Sequence, residues 1–189
     1  MVKYNVISDE WFYLLLPKGQ PFDQFEAADG TQDREKTKTV LSQMAGELPR
    51  SFSEILHLSH FEYSVTLLGR VDEALTPDVI ESWMEKSDIE SWMEKSDPDD
   101  PNNFFKLTLS ELAVYLGSLL IRHHGGEWHY SRFPNFFQSS VVINDIAFHV
   151  FDTLMKRCSE DHGHEKLLSK WSIFNDVLAS SAVTPDKVS

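Results

Sequence analysis

Residues Leu109 to Trp128 constrain the fold more than any other stretch of this chain. Thr108 to Glu111 has the form of a capping box, in which a hydroxyl and a carboxylate each satisfy an exposed amide at a helix start. Leu109, Leu112, Leu116 and Leu119 recur at helical spacing with Tyr115 and Leu120 beside them, which predicts an amphipathic helix with one apolar stripe. Gly117 inside it costs ~1 kcal/mol against Ala, so a close packing contact is expected there. Arg122, His123 and His124 fall where cations favour a helix C-terminus, and Gly125 is the expected left-handed cap. Beyond the double glycine, Glu127 to Ser131 and Ser139 to Ile143 read as two short strands, with Pro134 in their connection. Such a unit organises a fold without supplying a reaction centre.

The rest of the chain is consistent with helices around that unit. Residues 34–45 suggest a helix with Val40, Leu41 and Met44 on one side, closed by Gly46 and Pro49. Ser59 to Glu62 repeats the capping-box form, and Tyr63, Leu67, Leu68, Val71 and Leu75 follow at helical spacing. Thr76 can cap a further helix with Pro77 at its first position. Asn144-Asp145 turns the chain into a helix from about Ala147 to Cys158. A final helix near Glu165–Leu178 carries Leu167, Leu168, Trp171, Phe174, Val177 and Leu178 on one broad face. Residues 1–30 mix Trp11, Phe12, Phe22 and Phe25 with prolines and glycines, and read as irregular chain or short strands packed through aromatics. The expected fold is α+β: one predominantly helical globular domain over residues 1–180, with a small antiparallel sheet. A Pro/Asp/Asn loop is expected near 97–103 and a frayed tail at 181–189.

Residues 80–97 are one nine-residue sequence, IESWMEKSD, written twice: Ile80–Asp88 and Ile89–Asp97. Nine residues make about 2.5 turns of helix, so the two copies point opposite ways along one straight helix. Trp83 and Trp92 therefore cannot both face inward. One copy is expected to pack, and the other to lie exposed or at an interface. A two-member repeat this short is no solenoid and has the look of a slippage insertion.

Charge bounds the function classes. The net charge is −13, and residues 1–100 hold 21 acids and 9 bases against 9 acids and 8 bases in residues 101–189. An acidic half repels a phosphate backbone, which argues against nucleic-acid binding. It serves either solubility or docking of a basic partner, where complementary charge speeds encounter. Trp83, Glu85, Glu90, Trp92, Glu94, Asp97, Asp99 and Asp100 combine an aromatic anchor with carboxylates, and are the candidate partner-binding residues. No apolar run approaches the ~20 residues that span a bilayer, so no membrane association is expected. The N-terminus lacks the pattern of a secretory signal, and Cys158 is the only cysteine, which together suggest a cytoplasmic protein.

Catalytic and metal signatures are thin. Cys158, His162 and His164 with Asp161 and Glu165 can be drawn as zinc ligands, but no second cysteine pair accompanies them. A solvated turn beside a half-buried thiol explains them as well. His57-Leu58-Ser59-His60 lacks the glutamate and spacing of a zinc-protease helix. His123, His124 and His129 bracket the double glycine, where Glu127 or Asp145 could orient one imidazole as a base. Helix capping and alternating strand exposure explain the same residues without a reaction. There is no nucleophile elbow, phosphate loop or dinucleotide fingerprint, so no cofactor is expected.

The Leu-Ala-Val-Tyr-Leu-Gly run at 112–117, followed by Gly125-Gly126-Glu127-Trp128, resembles a loose group of small bacterial proteins of unassigned activity. Several of these accompany secreted polymorphic toxins as immunity proteins. Gly46 to Ser51, leading into the Tyr63–Leu75 helix, fits the same layout. The resemblance covers roughly residues 35–178 in organisation, and about 20 residues carry the motif. It implies a non-catalytic cytoplasmic immunity protein that neutralises a cognate toxin, a basic nuclease-like protein for example. A small enzyme using the histidines around Gly125, or a regulatory binding module with an unrelated partner, are the alternatives. The tandem repeat departs from the pattern of the group.

Overall fold

The structure, a computed structural model, describes residues 31–86, 104–132, 136–158 and 166–182. The expectations for residues 1–30, the second repeat copy, the 97–103 loop, and His162 and His164 fall outside them. Among the described residues the fold is α+β and mostly helical, with one three-stranded antiparallel sheet. The helices are α1 (Thr31–Glu54), α2 (Val65–Ala74), α3 (Pro77–Lys86), α4 (Phe104–His124), α5 (Val150–Arg157) and α6 (Leu167–Ala182). The strands are β1 (Glu127–His129), β2 (Ser140–Ile143) and β3 (Ile146–Phe148).

α4 is the centre on which α1, α3, α5 and β2 pack. The expectation of one apolar stripe is corrected: Thr108 to Gly117, Leu119 and Leu120 are all buried, so every face of the helix is covered. A helix enclosed in this way needs no solvent face. It also starts at Phe104, which places Thr108 and Glu111 inside the helix and not in a cap.

α1 overrides two sequence-level stop signals. It runs from Thr31 through Gly46 and Pro49 to Glu54, well past the end expected near residue 45. An interior proline removes one backbone bond and costs ~3 kcal/mol. The compensation is burial: Thr37, Leu41, Leu48, Ser51 and Phe52 follow one another along the inner side, while Gly46 and Pro49 are exposed. Each large apolar side chain so buried returns ~1.5–3 kcal/mol. Beyond α1, His57 takes a left-handed conformation (φ 54°), and the Leu58 N–H donates back to the Phe52 carbonyl at 2.9 Å.

The cap of α2 is displaced from the expected Ser59. Ser64 occupies it, its oxygen accepting from the Leu67 N–H at 3.0 Å while its hydroxyl donates to Glu62 at 2.6 Å. Tyr115 of α4 seals this entry, donating towards the Glu62 and Ser64 carbonyls at 3.2 and 3.0 Å. Its ring stacks on Tyr63 (14° between planes) and meets Phe52 and Phe61. α3 begins where expected, with Thr76 accepting from the Val79 N–H at 3.4 Å and Pro77 first in the helix.

The glycine-pair turn behaves as expected. Gly125 caps α4 with φ +77°, its N–H donating to the Ile121 carbonyl at 2.8 Å. Gly126 has φ +91°, and a Cβ there would collide with the Val142 carbonyl. At Gly117 an added Cβ would enter the Trp128 indole, which is the close contact the mid-helix glycine announces. β1 pairs with β2 through Trp128 opposite Val141, and β2 pairs with β3 through Ile143 opposite Ile146. The two-residue turn Asn144-Asp145 has φ of 49° and 63°, the left-handed pair that lets a tight hairpin follow strand twist. It leads into the strand β3, not directly into a helix near Ala147.

α6 rests on α2 and α5. Leu167, Trp171 and Leu178 are buried, and Phe174 meets Phe148 edge-on at 4.9 Å. Its buried face is narrower than expected, because Leu168 and Val177 are 42% and 40% exposed. The helix extends to Ala182, two residues into the 181–189 segment expected to fray.

Candidate functional site

The candidate partner-binding residues divide at Lys86. Trp83 is 2% exposed and lies in the core with Ile80, so the first repeat copy packs. As a surface anchor Trp83 is therefore corrected: its indole is enclosed within the chain. Glu85 lies on α3, with its side chain outside the described set. Glu90, Trp92, Glu94, Asp97, Asp99 and Asp100 are outside the described residues.

What α2 and α3 do expose is charge. Glu73, Asp78 and Glu81 are all exposed, and none has an ion pair among the described residues. They belong to a run, residues 62–100, with 12 acids against Arg70, Lys86 and Lys95. α1 arranges its charges otherwise. Glu35 pairs with Lys38 at 3.7 Å, and Arg50 lies 3.2 Å from Glu47 and 3.9 Å from Glu54. Glu127, Asp145 and Asp176 are also exposed without an ion pair among the described residues, but they come singly.

The face of α2 that turns inward carries a charge of another kind. Asp72 and Arg157 each have side chains 4% exposed, and Arg157 Nε donates to Asp72 Oδ1 at 2.7 Å. The same guanidinium donates to the Asp72 and Leu75 carbonyls at 2.9 and 3.0 Å. The Leu168 N–H reaches the other carboxylate oxygen at 3.4 Å, so one pair joins α2, α5 and α6. Nothing in the sequence announces it, since the partners stand 85 residues apart. Cys158 follows directly and is buried, which pushes its thiol up to about 12. It is therefore a neutral packing group, neither a nucleophile nor a ready thiolate ligand.

The histidines of the glycine-pair turn do not converge. His129 and Glu127 alternate onto the exposed side of β1. Asp145 sits in the hairpin turn, and among the described residues no hydrogen bond or ion pair links it or Glu127 to an imidazole. His123 and His124 instead pack on Trp171 of α6. His124 is lowered by burial first and by the neighbouring His123 second, with a hydrogen bond to Asn175 opposing them. Asn175 is held in turn, its amide donating to the Trp171 carbonyl at 2.8 Å. Asn144 and Asn175 were beyond sequence reasoning, because only the hairpin and α6 together bring them to His124.

One further acid is buried. Glu111 on α4 is 5% exposed, and burial raises its pKa against the opposing bond from Ser51 and the charge of Arg50. Its Oε2 has no partner among the described residues. Among the described residues, no group of three or more His, Cys, Asp or Glu is placed to hold a metal ion, and no helix is long and apolar enough to cross a membrane. Comparison with protein families, with curated proteins and with solved structures finds no match.

Proposed function

We propose that this chain is a non-catalytic binding protein of the immunity type, which neutralises a basic protein toxin by docking it on the acidic segment that begins at α2. The observation that carries this reading is the exposed charge of Glu73, Asp78 and Glu81, which form no ion pair among the described residues, where α1 pairs Glu35, Glu47 and Glu54 with its own cations. Uncompensated carboxylates repel one another and add nothing to folding; they serve solubility, and on this reading they also attract a basic partner. A toxin that acts on nucleic acid presents cations around its cleft, and those are the charges such a face meets. The polar groups that a small enzyme would use, His123 and His124 on α4, Glu127 and His129 on β1 and Asp145 in the hairpin turn, are joined by no hydrogen bond or ion pair between acid and imidazole among the described residues, which favours binding over turnover.

The test is co-expression with the product of the neighbouring gene. Rescue of growth and copurification are expected. Replacing Glu73, Asp78 and Glu81 together with lysine should slow association ~10-fold or more at low salt and flatten its salt dependence. Deletion of Ile89–Asp97 asks whether the second repeat copy adds to that face. A neighbouring product that is neither toxic nor bound removes the proposal.

A further inference from the structure

His124 closes α4 with its ring against Trp171, centroids 5.6 Å apart, while His123 meets the same indole edge-on at 5.2 Å. The His124 Nε2 is shielded from solvent and has no hydrogen-bond partner among the described residues. Beside the ring an open groove of about 440 Å³ is lined by His124, Ile143, Asn144, Asn175, Leu178 and Ala179. A neutral imidazole tolerates this seat, since its bare nitrogen is only a lone pair against side-chain walls. An imidazolium must donate from both nitrogens; the Asn175 side chain favours the charged ring, but burial, which opposes it, is the larger effect.

We propose that the contact of His124 with Trp171 is a proton-operated latch, in which protonation swings the imidazole into the groove and frees the middle of α6 from the end of α4. The one charge that acts on His124 among the described residues is His123, which opposes its protonation. On α4, His123 faces His124, and Arg122 precedes them both. α6 presents Trp171, Asn175 and Leu178, with Lys170 and Asp176 adjoining in sequence. The β2–β3 turn presents Asn144, followed by Asp145. Among the described residues none of these groups forms an ion pair with the imidazole.

The sign follows from the direction of the shift. The unfolded chain takes up this proton around the ordinary 6.5 and the folded chain only at lower pH. Stability from this group is therefore complete above the unfolded value and falls as pH drops below it. The N-terminal end of α6 stays attached throughout, through Leu168 to Asp72 and to Gly69. Opening is thus confined to the stretch from Trp171 onward.

Amide-exchange protection factors across α6 test the latch between about pH 7.5 and about pH 5. Protection at residues 171–178 is expected to fall severalfold over that range, in the direction the lowered pKa of His124 sets. His124→Phe keeps a ring on Trp171 without a titrating group and should hold protection level, while His123→Phe should follow the wild type. A flat wild-type profile, or the same fall in His124→Phe, overturns the proposal. NMR titration of the wild-type imidazole gives a second reading that needs no variant. A midpoint at or above the ordinary 6.5 also overturns it.

Discussion

α1 and α2 both pair charged residues, and they do so in opposite senses. α1 is seated by an apolar seam, Leu41, Leu48 and Phe52, and its charges stay outside, closing on one another three and four residues apart. α2 turns one carboxylate inward to a guanidinium on α5 and leaves Glu73 exposed without an ion pair. The outer pairs of α1 are solvated, screened by salt, and contribute little. The inner pair of α2 is shielded from water and is intolerant of losing either member. Charge is ornament on the first helix. On the second it is attachment within and, on our reading, attraction without.

The comparison breaks first, if it breaks, at Arg157. Arg157→Met leaves the Asp72 carboxylate buried alone and is expected to lower unfolding free energy by about 3–5 kcal/mol in urea titration. Next comes the seam: Leu48 is 0% exposed, and Leu48→Ala should lose about 2–5 kcal/mol. A smaller effect of the opposite sign is expected at the α1–α4 boundary. Glu111 has its pKa raised by burial, so wild-type stability should decline as pH rises from the ordinary 4.5 through the folded value. Glu111→Gln should remove that slope and gain up to about 1 kcal/mol at neutral pH, read by thermal unfolding at several pH values. Smallest is Arg50→Ala, expected within ~0.5 kcal/mol and fading in high salt. A loss there rivalling that of Arg157→Met would erase the distinction between the two helices.

Legibility in the sequence followed the range of the forces involved. The Gly125 cap, the tight Gly117 contact, the Thr76-Pro77 start and the strands on either side of Pro134 are decided within a few residues, and those expectations hold. Gly46 and Pro49 misled because a stop signal of a few kcal/mol is outweighed by a seam that forms only when α4 is present. Ser59 and Ser64 offer the same hydroxyl, and the choice between them is made by Tyr115, some 50 residues on in sequence. The broad apolar face read on α6 was too wide, since Leu168 and Val177 at its margins stay 42% and 40% exposed. The candidate docking residues were legible as composition alone. Trp83 shows the limit of that reading, since an indole among carboxylates can as well be core as anchor.

The union of Asp72 with Arg157 also sets a timetable. A chain that leaves the ribosome N-terminus first presents α2 long before its counter-ion exists. At roughly 5–20 residues per second, the 85 intervening residues take about 4–17 s to be made. Throughout that interval Asp72 lacks its counter-ion, and the faces of α1 and α3 that pack on α4 lack that partner until α4 emerges. Over that interval the net negative charge of residues 1–100 acts against association of neighbouring copies of the chain.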